Sequence, residues 1–247
     1  MDNRILAIIP ARSGSKGIQN KNLARVGGRT LLEWSIAAAR ACKYINEIIV
    51  STDSEEYAQL AREYGAEVPF LRPDHLAQDN STDFEFISHC ISELTKLGRR
   101  PNLIVHLRPT SPLRETRILD AAIVKYLEIE DNFTSLRSIQ KMSESAYKTF
   151  ELDDSETLMS VCKKDYNIDA SNGARQSFPN TFYPNGYVDI LSTRFIEKNN
   201  KIHGNKVYGF VTPRIIEVDE AFDLEMLNYE FARTAINYQY INGGQNE

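Results

Sequence analysis

Residues 8–22, Ile8-Ile9-Pro10-Ala11-Arg12-Ser13-Gly14-Ser15-Lys16-Gly17-Ile18-Gln19-Asn20-Lys21-Asn22, set three cations and two glycines in a loop directly behind an apolar stretch. A glycine-bearing turn lets backbone N–H groups approach phosphate oxygens, and Arg12, Lys16 and Lys21 bring the charge that neutralises them. The chemistry this predicts is polyphosphate binding. It is not the familiar version of that chemistry: Gly14-Ser15-Lys16 lacks the upstream glycine and the Gly-Lys pair of a Walker loop, and no G-x-G-x-x-G follows the strand. Taken alone, the loop also fits a solvated basic turn.

Glu217-Val218-Asp219 places two carboxylates at i, i+2, on one face of an extended backbone. Two such groups repel unless a cation lies between them. One or two carboxylates, with water and substrate phosphate completing the shell, is the usual way Mg²⁺ is held in phosphoryl-transfer sites. Asp219 is equally well placed to cap a helix starting near Glu220. Leu107-Arg108-Pro109-Thr110-Ser111-Pro112-Leu113-Arg114 adds cations and hydroxyls on a loop whose prolines fix φ, and Leu71-Arg72-Pro73 repeats the arrangement. Asp53-Ser54-Glu55-Glu56 reads as a capping box led by Asp53. Asn172-Gly173-Ala174-Arg175-Gln176 and Pro184-Asn185-Gly186 are tight turns, the first carrying a further cation. There is no G-x-S-x-G elbow and no Ser-His-Asp or Cys-His pattern, which argues against covalent hydrolysis.

These groups need a scaffold. Residues 4–9 form a nearly continuous apolar run, the mark of a parallel strand covered on both faces, and Pro10 ends its pairing. Strand-like and helix-like patterns then alternate: helix over 30–40, strand over 47–52, helix to about 64, a short third strand over 67–71, helix over 81–97, buried strand over 102–107, helix over 117–127, strand over 133–136. This rhythm predicts βαβ units and a mainly parallel sheet flanked by helices. The cationic loops then sit at the carboxyl edge of the sheet, where open α/β folds bind ligands. Residues 140–185 break the rhythm and read as hairpin-like strands and loops inserted into the α/β core. Strands over 187–191 and 206–211 and a helix from 220 to about 240 follow.

The 247 residues suffice for a full core, and 42% hydrophobic with 26% charged residues is ordinary globular composition. No twenty-residue apolar run or secretory leader pattern is seen, so no membrane partner and a cytoplasmic location are expected. The formal charge of −5 disfavours nucleic acid. The three cysteines, Cys42, Cys90 and Cys162, are widely spaced and read as buried reduced thiols, and the four histidines form no metal-ligand pair.

In their order along the chain these segments resemble the acylneuraminate cytidylyltransferase family, from about residue 5 to 230. The most specific piece is Pro10-Ala11-Arg12-x-Gly14-Ser15-Lys16-Gly17 with Lys21-Asn22. It is followed by Val50-Ser51-Thr52-Asp53, Arg72-Pro73, residues 108–114, Arg175-Gln176, Pro184-Asn185-Gly186 and Glu217-Val218-Asp219. The resemblance implies a Rossmann-like nucleotidyltransferase fold in a single domain over 1–247, a β-rich dimerisation insertion at about 138–186, a homodimer, and a reaction of CTP with a nonulosonic (sialic-type) acid that requires Mg²⁺. By the same resemblance, Arg12, Gly14, Ser15, Lys16 and Lys21 hold the triphosphate, and Asn22 and Arg72 read cytosine. Arg108, Thr110, Ser111, Gln176, Asn185, Asp189 and His203 border the sugar. Lys21, Arg12, Arg175 and Asp219 serve catalysis, and Glu217 with Asp219 bind the metal. The sugar end departs from the sialic-acid pattern: Arg108 replaces a common Gln, and Asp189, Ile202 and His203 replace aromatics. Glu217 lengthens a usual Asp. These departures point to a related nonulosonate such as a legionaminate-type sugar. The alternatives are a CMP-Kdo-type or other sugar nucleotidyltransferase, and a non-catalytic nucleotide-sugar-binding homologue.

Overall fold

In the computed structural model, which describes residues 4–14, 17–235 and 238, the chain runs through ten strands and six α-helices among the described residues. In order these are β1 (Ile5–Pro10), β2 (Arg25–Val26), β3 (Arg29–Thr30), α1 (Leu31–Ala41), β4 (Glu47–Ser51), α2 (Glu55–Glu63), α3 (Asp83–Lys96) and β5 (Leu103–His106). There follow α4 (Thr116–Ile129), β6 (Ser135–Lys141), β7 (Phe150–Leu152), β8 (Leu158–Ser160), β9 (Phe182–Ser192), α5 (Thr193–Asn199), β10 (Val207–Val211) and α6 (Ala221–Thr234). None of the described helices is long and apolar enough to cross a membrane.

β1 explains the layering. Its side chains alternate between two faces, and both faces are buried. Leu6 and Ile8 join Phe86, Ile87, Cys90, Ile91 and Leu94 of α3 and Ile196 of α5. Ile5, Ala7 and Ile9 join residues of α1, α2 and α4, among them Leu32, Ile36, Tyr57, Leu119 and Ile123. An all-apolar strand is what a sheet covered on both sides requires. The main sheet has the order β10-β6-β9-β5-β1-β4. β4 and β5 flank β1 in parallel, while β9 runs antiparallel to β5 with His106 opposite Asp189. The carboxyl ends of β4, β1 and β5 therefore share one edge, and the loops carrying Asp53, Arg12 and Arg108 leave from it.

Local signals set the helix starts. Thr30 Oγ1 accepts from Glu33 N at 3.0 Å to cap α1, and Thr82 with Glu85 forms a capping box on α3. Cys42 and Cys90 are buried, but Cys162, expected to be buried, is exposed. Three further expectations need correction. Residues 67–71 form only an isolated bridge, Ile49 with Glu67, because Pro69 has no N–H for a ladder. Ser54, and not Asp53, caps α2. Glu220 with Asp223, and not Asp219, caps α6.

The chain divides into two units, Met1–Ser138 with Asn185–Glu247, and Ile139–Pro184. The second, considered by itself, contains the antiparallel pair β7 and β8 and exposes Phe150, Leu152, Leu158, Tyr166 and Ile168.

Candidate active site

A cleft of about 480 Å³ opens in the first unit at the shared strand edge, lined by Arg12, Gly17, Lys21, Asn22, Arg72, Asp83, Phe86, Arg108 and Thr110, among others. The loop after β1 is braced from within. Ser13 donates to Asp53 through both its backbone N (2.9 Å) and its hydroxyl (2.6 Å), and the buried Asn22 donates from Nδ2 to Arg12 O at 3.1 Å. Asn20, at φ 53°, takes the left-handed turn that brings in Lys21, a conformation asparagine tolerates. Arg12 is paired with Asp79 at 2.8 Å. Ser15 and Lys16 lie outside the described residues.

The acidic pair meets this loop. Lys21 Nζ lies 3.1 Å from Asp219 Oδ1, and a Cβ on Gly17 would sit 2.6 Å from the backbone oxygen of Asp219, so the loop packs where only glycine fits. Because Glu220 takes the capping role, the Asp219 carboxylate is left 83% exposed. Glu217 differs: its Oε1 accepts from Ser111 Oγ at 3.0 Å and from Gly186 N at 2.7 Å. Val218 N donates to Thr110 O at 2.8 Å, which fastens the acidic segment to the loop after β5. Among the described residues no third acidic, histidine or cysteine group joins this pair as a preformed metal cage. Two carboxylates beside a cationic cleft fit a Mg²⁺ whose other ligands are water and substrate phosphate.

Arg72 is buried, with Nε and Nη2 donating to Ser51 Oγ (3.0 Å) and Ser51 O (2.6 Å) and its guanidinium 4.7 Å from the centre of the Phe86 ring. Burial lowers its pKa. At the other end Arg108 bridges two carboxylates, Asp83 Oδ2 at 2.6 Å and the fully buried Asp189 Oδ2 at 2.8 Å. Burial alone would lower the Arg108 pKa, but these two charges outweigh it and hold it above its ordinary value. His106, 3.8 Å from Asp189 and fully buried, is pushed down to about 3 by burial and by the Arg108 charge, and stays neutral.

Several residues assigned to the sugar turn to framework contacts. The buried Ser111 gives its hydroxyl to Glu217, Asn185 Nδ2 donates to Thr212 Oγ1 at 2.8 Å, and His203 Nδ1 pairs with Ser135 Oγ at 3.1 Å. Arg175 and Gln176 belong to the Ile139–Pro184 unit, where they line a cavity of about 630 Å³ with Lys141, Phe178, Pro179 and Asn180. Sequence reasoning missed Gln78, Asp79, Ser81, Asp83 and Phe86, which also line the cleft. The helix expected over 81–97 covers this segment, but nothing in its pattern says that the helix opens beside Arg72 and Arg108.

Known proteins resemble this chain in sequence and in fold. An N-acylneuraminate cytidylyltransferase from Escherichia coli O18:K1:H7 (strain RS218 / NMEC) is 32% identical over 229 residues, covering 92% of this chain and 52% of that protein. A CMP-N,N'-diacetyllegionaminic acid synthase from Legionella pneumophila subsp. pneumophila (strain Philadelphia 1) is 38% identical over 120 residues, 49% of this chain and 52% of its own length. The matched part thus spans about half the length of these two relatives. A solved CMP:2-keto-3-deoxy-manno-octonic acid synthetase complexed with CTP superimposes with a TM-score of 0.68 over 93% of this chain and 99% of that one. At 12% identity, that likeness is one of fold. The cytidylyltransferase family model matches residues 6–228, from the first strand into the last helix. That match takes in the cationic loop and the acidic pair it meets, and the chain belongs to the cytidylyltransferase family.

Proposed function

We propose that this protein activates a nonulosonic acid with CTP, giving a CMP-sugar and pyrophosphate. The observation that carries the reading is that the acidic segment meets the cationic loop lining the cleft, through Lys21 with Asp219 and Gly17 against the Asp219 backbone. The sugar's anomeric oxygen bonds to the α-phosphorus in line as the bond to the bridging oxygen breaks. Catalysis of this kind rests on alignment and charge neutralisation. Arg12 and Lys21 hold phosphate oxygens, with Gly14 and the Ser15-Lys16 pair on the same loop. Arg72, fixed on Ser51 and Phe86, reads the base beside Asn22. Glu217 and Asp219 would hold Mg²⁺, which when bound screens phosphate charge and polarises the phosphoryl oxygens. Arg108 and Thr110 face the sugar, with Asp189 fixing Arg108.

The departures at the sugar end favour a legionaminate-type acid over N-acetylneuraminate. The Legionella relative, at 38% identity over its matched half, supports the same choice. The chain works as a homodimer through residues 139–184, a reading supported by the large apolar side chains exposed there.

Pyrophosphate release from CTP, UTP, GTP and ATP against a panel of eight- and nine-carbon 2-keto acids tests the reading. Turnover confined to CTP with a nine-carbon acid, abolished by chelator and restored by Mg²⁺, is expected. Turnover with an eight-carbon acid alone, or none with any pair, overturns it. Light scattering that finds a monomer at micromolar concentration overturns the dimer.

A further inference from the structure

Arg114 is one of the largest fully buried side chains of the protein, and it is not itself among the residues that line the cleft. Its guanidinium binds backbone. Nε donates to Tyr187 O at 2.6 Å, Nη2 donates to Arg108 O at 2.7 Å and to Gly186 O at 2.8 Å, and Nη1 reaches Ser35 Oγ of α1 at 3.1 Å. One rigid, planar group thus ties together the loop after β5, the middle of β9 and the first helix. A lysine ammonium, a compact point charge, has no such reach.

These are the segments that present donors to Glu217. The backbone N of Gly186, on the other side of the same Cα whose carbonyl Arg114 holds, donates to Glu217 Oε1 at 2.7 Å. The Arg108 carbonyl held by Arg114 also accepts from Ser111 N at 3.1 Å, and the Ser111 hydroxyl donates to the same Glu217 oxygen at 3.0 Å. The packing is close: a Cβ on Gly186 would lie 2.3 Å from Glu217 Oε1 and 2.4 Å from Ser111 Oγ. We infer that Arg114 is a positioning residue that sets the orientation of the Glu217 carboxylate, committing Oε1 to the two donors so that Oε2 serves a divalent cation. The inference rests on the reading of Glu217 as a metal-side carboxylate proposed above.

The test is Mn²⁺ binding, followed by electron paramagnetic resonance, to the full chain in the presence of a CTP analogue whose α,β-bridging oxygen is a methylene. Partners that orient metal ligands typically contribute 10–100-fold in affinity, so Arg114→Lys is expected to weaken Mn²⁺ binding by about that factor, with kcat reduced and KM for CTP unchanged. A folded Arg114→Lys protein with native Mn²⁺ affinity overturns the inference, whatever happens to its thermal midpoint. If Arg114→Lys does not fold, Ser111→Ala, which removes one donor to Glu217 Oε1, is expected to weaken Mn²⁺ binding in the same direction, and native affinity there overturns it too. Glu217→Gln separates the two readings. Weak binding in Glu217→Gln with native binding in Arg114→Lys sinks the positioning role alone, whereas native binding in Glu217→Gln removes the metal role of Glu217 itself.

Discussion

Lys21 and Asp219, 198 positions apart in the chain, meet at 3.1 Å, and Lys21 lines the cleft. The lysine is largely covered, 15% exposed, while the aspartate is open to solvent. An exposed pair of this kind contributes little to stability, at most about 1 kcal/mol. On the proposed function its value is in placement, a cation for phosphate being held beside a carboxylate for metal.

Lys21→Ala is therefore expected to separate function from folding. Losing one preorganised charge contact in a site of this type costs about 10²–10³ in rate. Pyrophosphate release should fall by that factor while the thermal midpoint stays close to the native value.

Gly17→Ala tests the same junction from the other side. The added methyl would sit 2.6 Å from a backbone oxygen of Asp219, an atom that cannot swing away as a side chain does. The loop must shift, and a displacement of about 1 Å can cost about 10²-fold in rate. Turnover should drop steeply, with KM for CTP rising, because the phosphate loop itself moves.

Arg108 is held by Asp189 and Asp83, and the two carboxylates are not equivalent. Asp189 is fully buried and Asp83 is partly solvated. Arg108→Ala leaves the Asp189 charge buried without this partner, a change that costs about 3–5 kcal/mol in comparable sites. Urea unfolding should show that loss, and the double replacement Arg108→Met with Asp189→Leu should recover much of it. A single Asp83→Ala should cost less than Arg108→Ala.

His106 makes stability depend on pH. Its folded pKa is lowered to about 3, against about 6.5 in the unfolded chain. Between those values the unfolded chain binds the proton and the folded protein does not. Stability contributed by this residue is therefore intact above about pH 6.5 and is lost as pH falls toward 3, at up to about 1.4 kcal/mol per pH unit. Burial and the charges of Arg108 and Arg114 drive the shift, and Asp83 and Asp189 oppose it. Urea unfolding from pH 7 to pH 4 should be steeper in the native protein than in His106→Gln.

What was legible in the sequence is what local pattern determines. The apolar run at 5–9 announced a doubly covered strand, Pro10 its end, and the glycines and cations behind it a loop at the strand's carboxyl end, where it lines the cleft. Arg108 and Thr110 were placed after β5 by the same logic, whereas the strand expected before Arg72 is only an isolated bridge. What failed was decided at long range. Asp53 looks like a cap because Ser-Glu-Glu follows it, yet Ser54 caps the helix and Asp53 instead holds Ser13, forty residues away. Asp219 and Glu220 are both plausible caps, and one step of register decides which carboxylate is left for chemistry. Asp83 reads as an ordinary first-turn acid, and its pairing with Arg108 exists only because α3 begins against the strand edge.

The contact of Gly17 with the backbone of Asp219 also says when the site comes into being. Its two halves are synthesised nearly a whole chain apart, so during translation the phosphate loop leaves the ribosome long before its acidic counterpart exists. A chain stopped before residue 217 would present the sheet edge and all the residues that line the cleft, with Lys21 still lacking the carboxylate it pairs with.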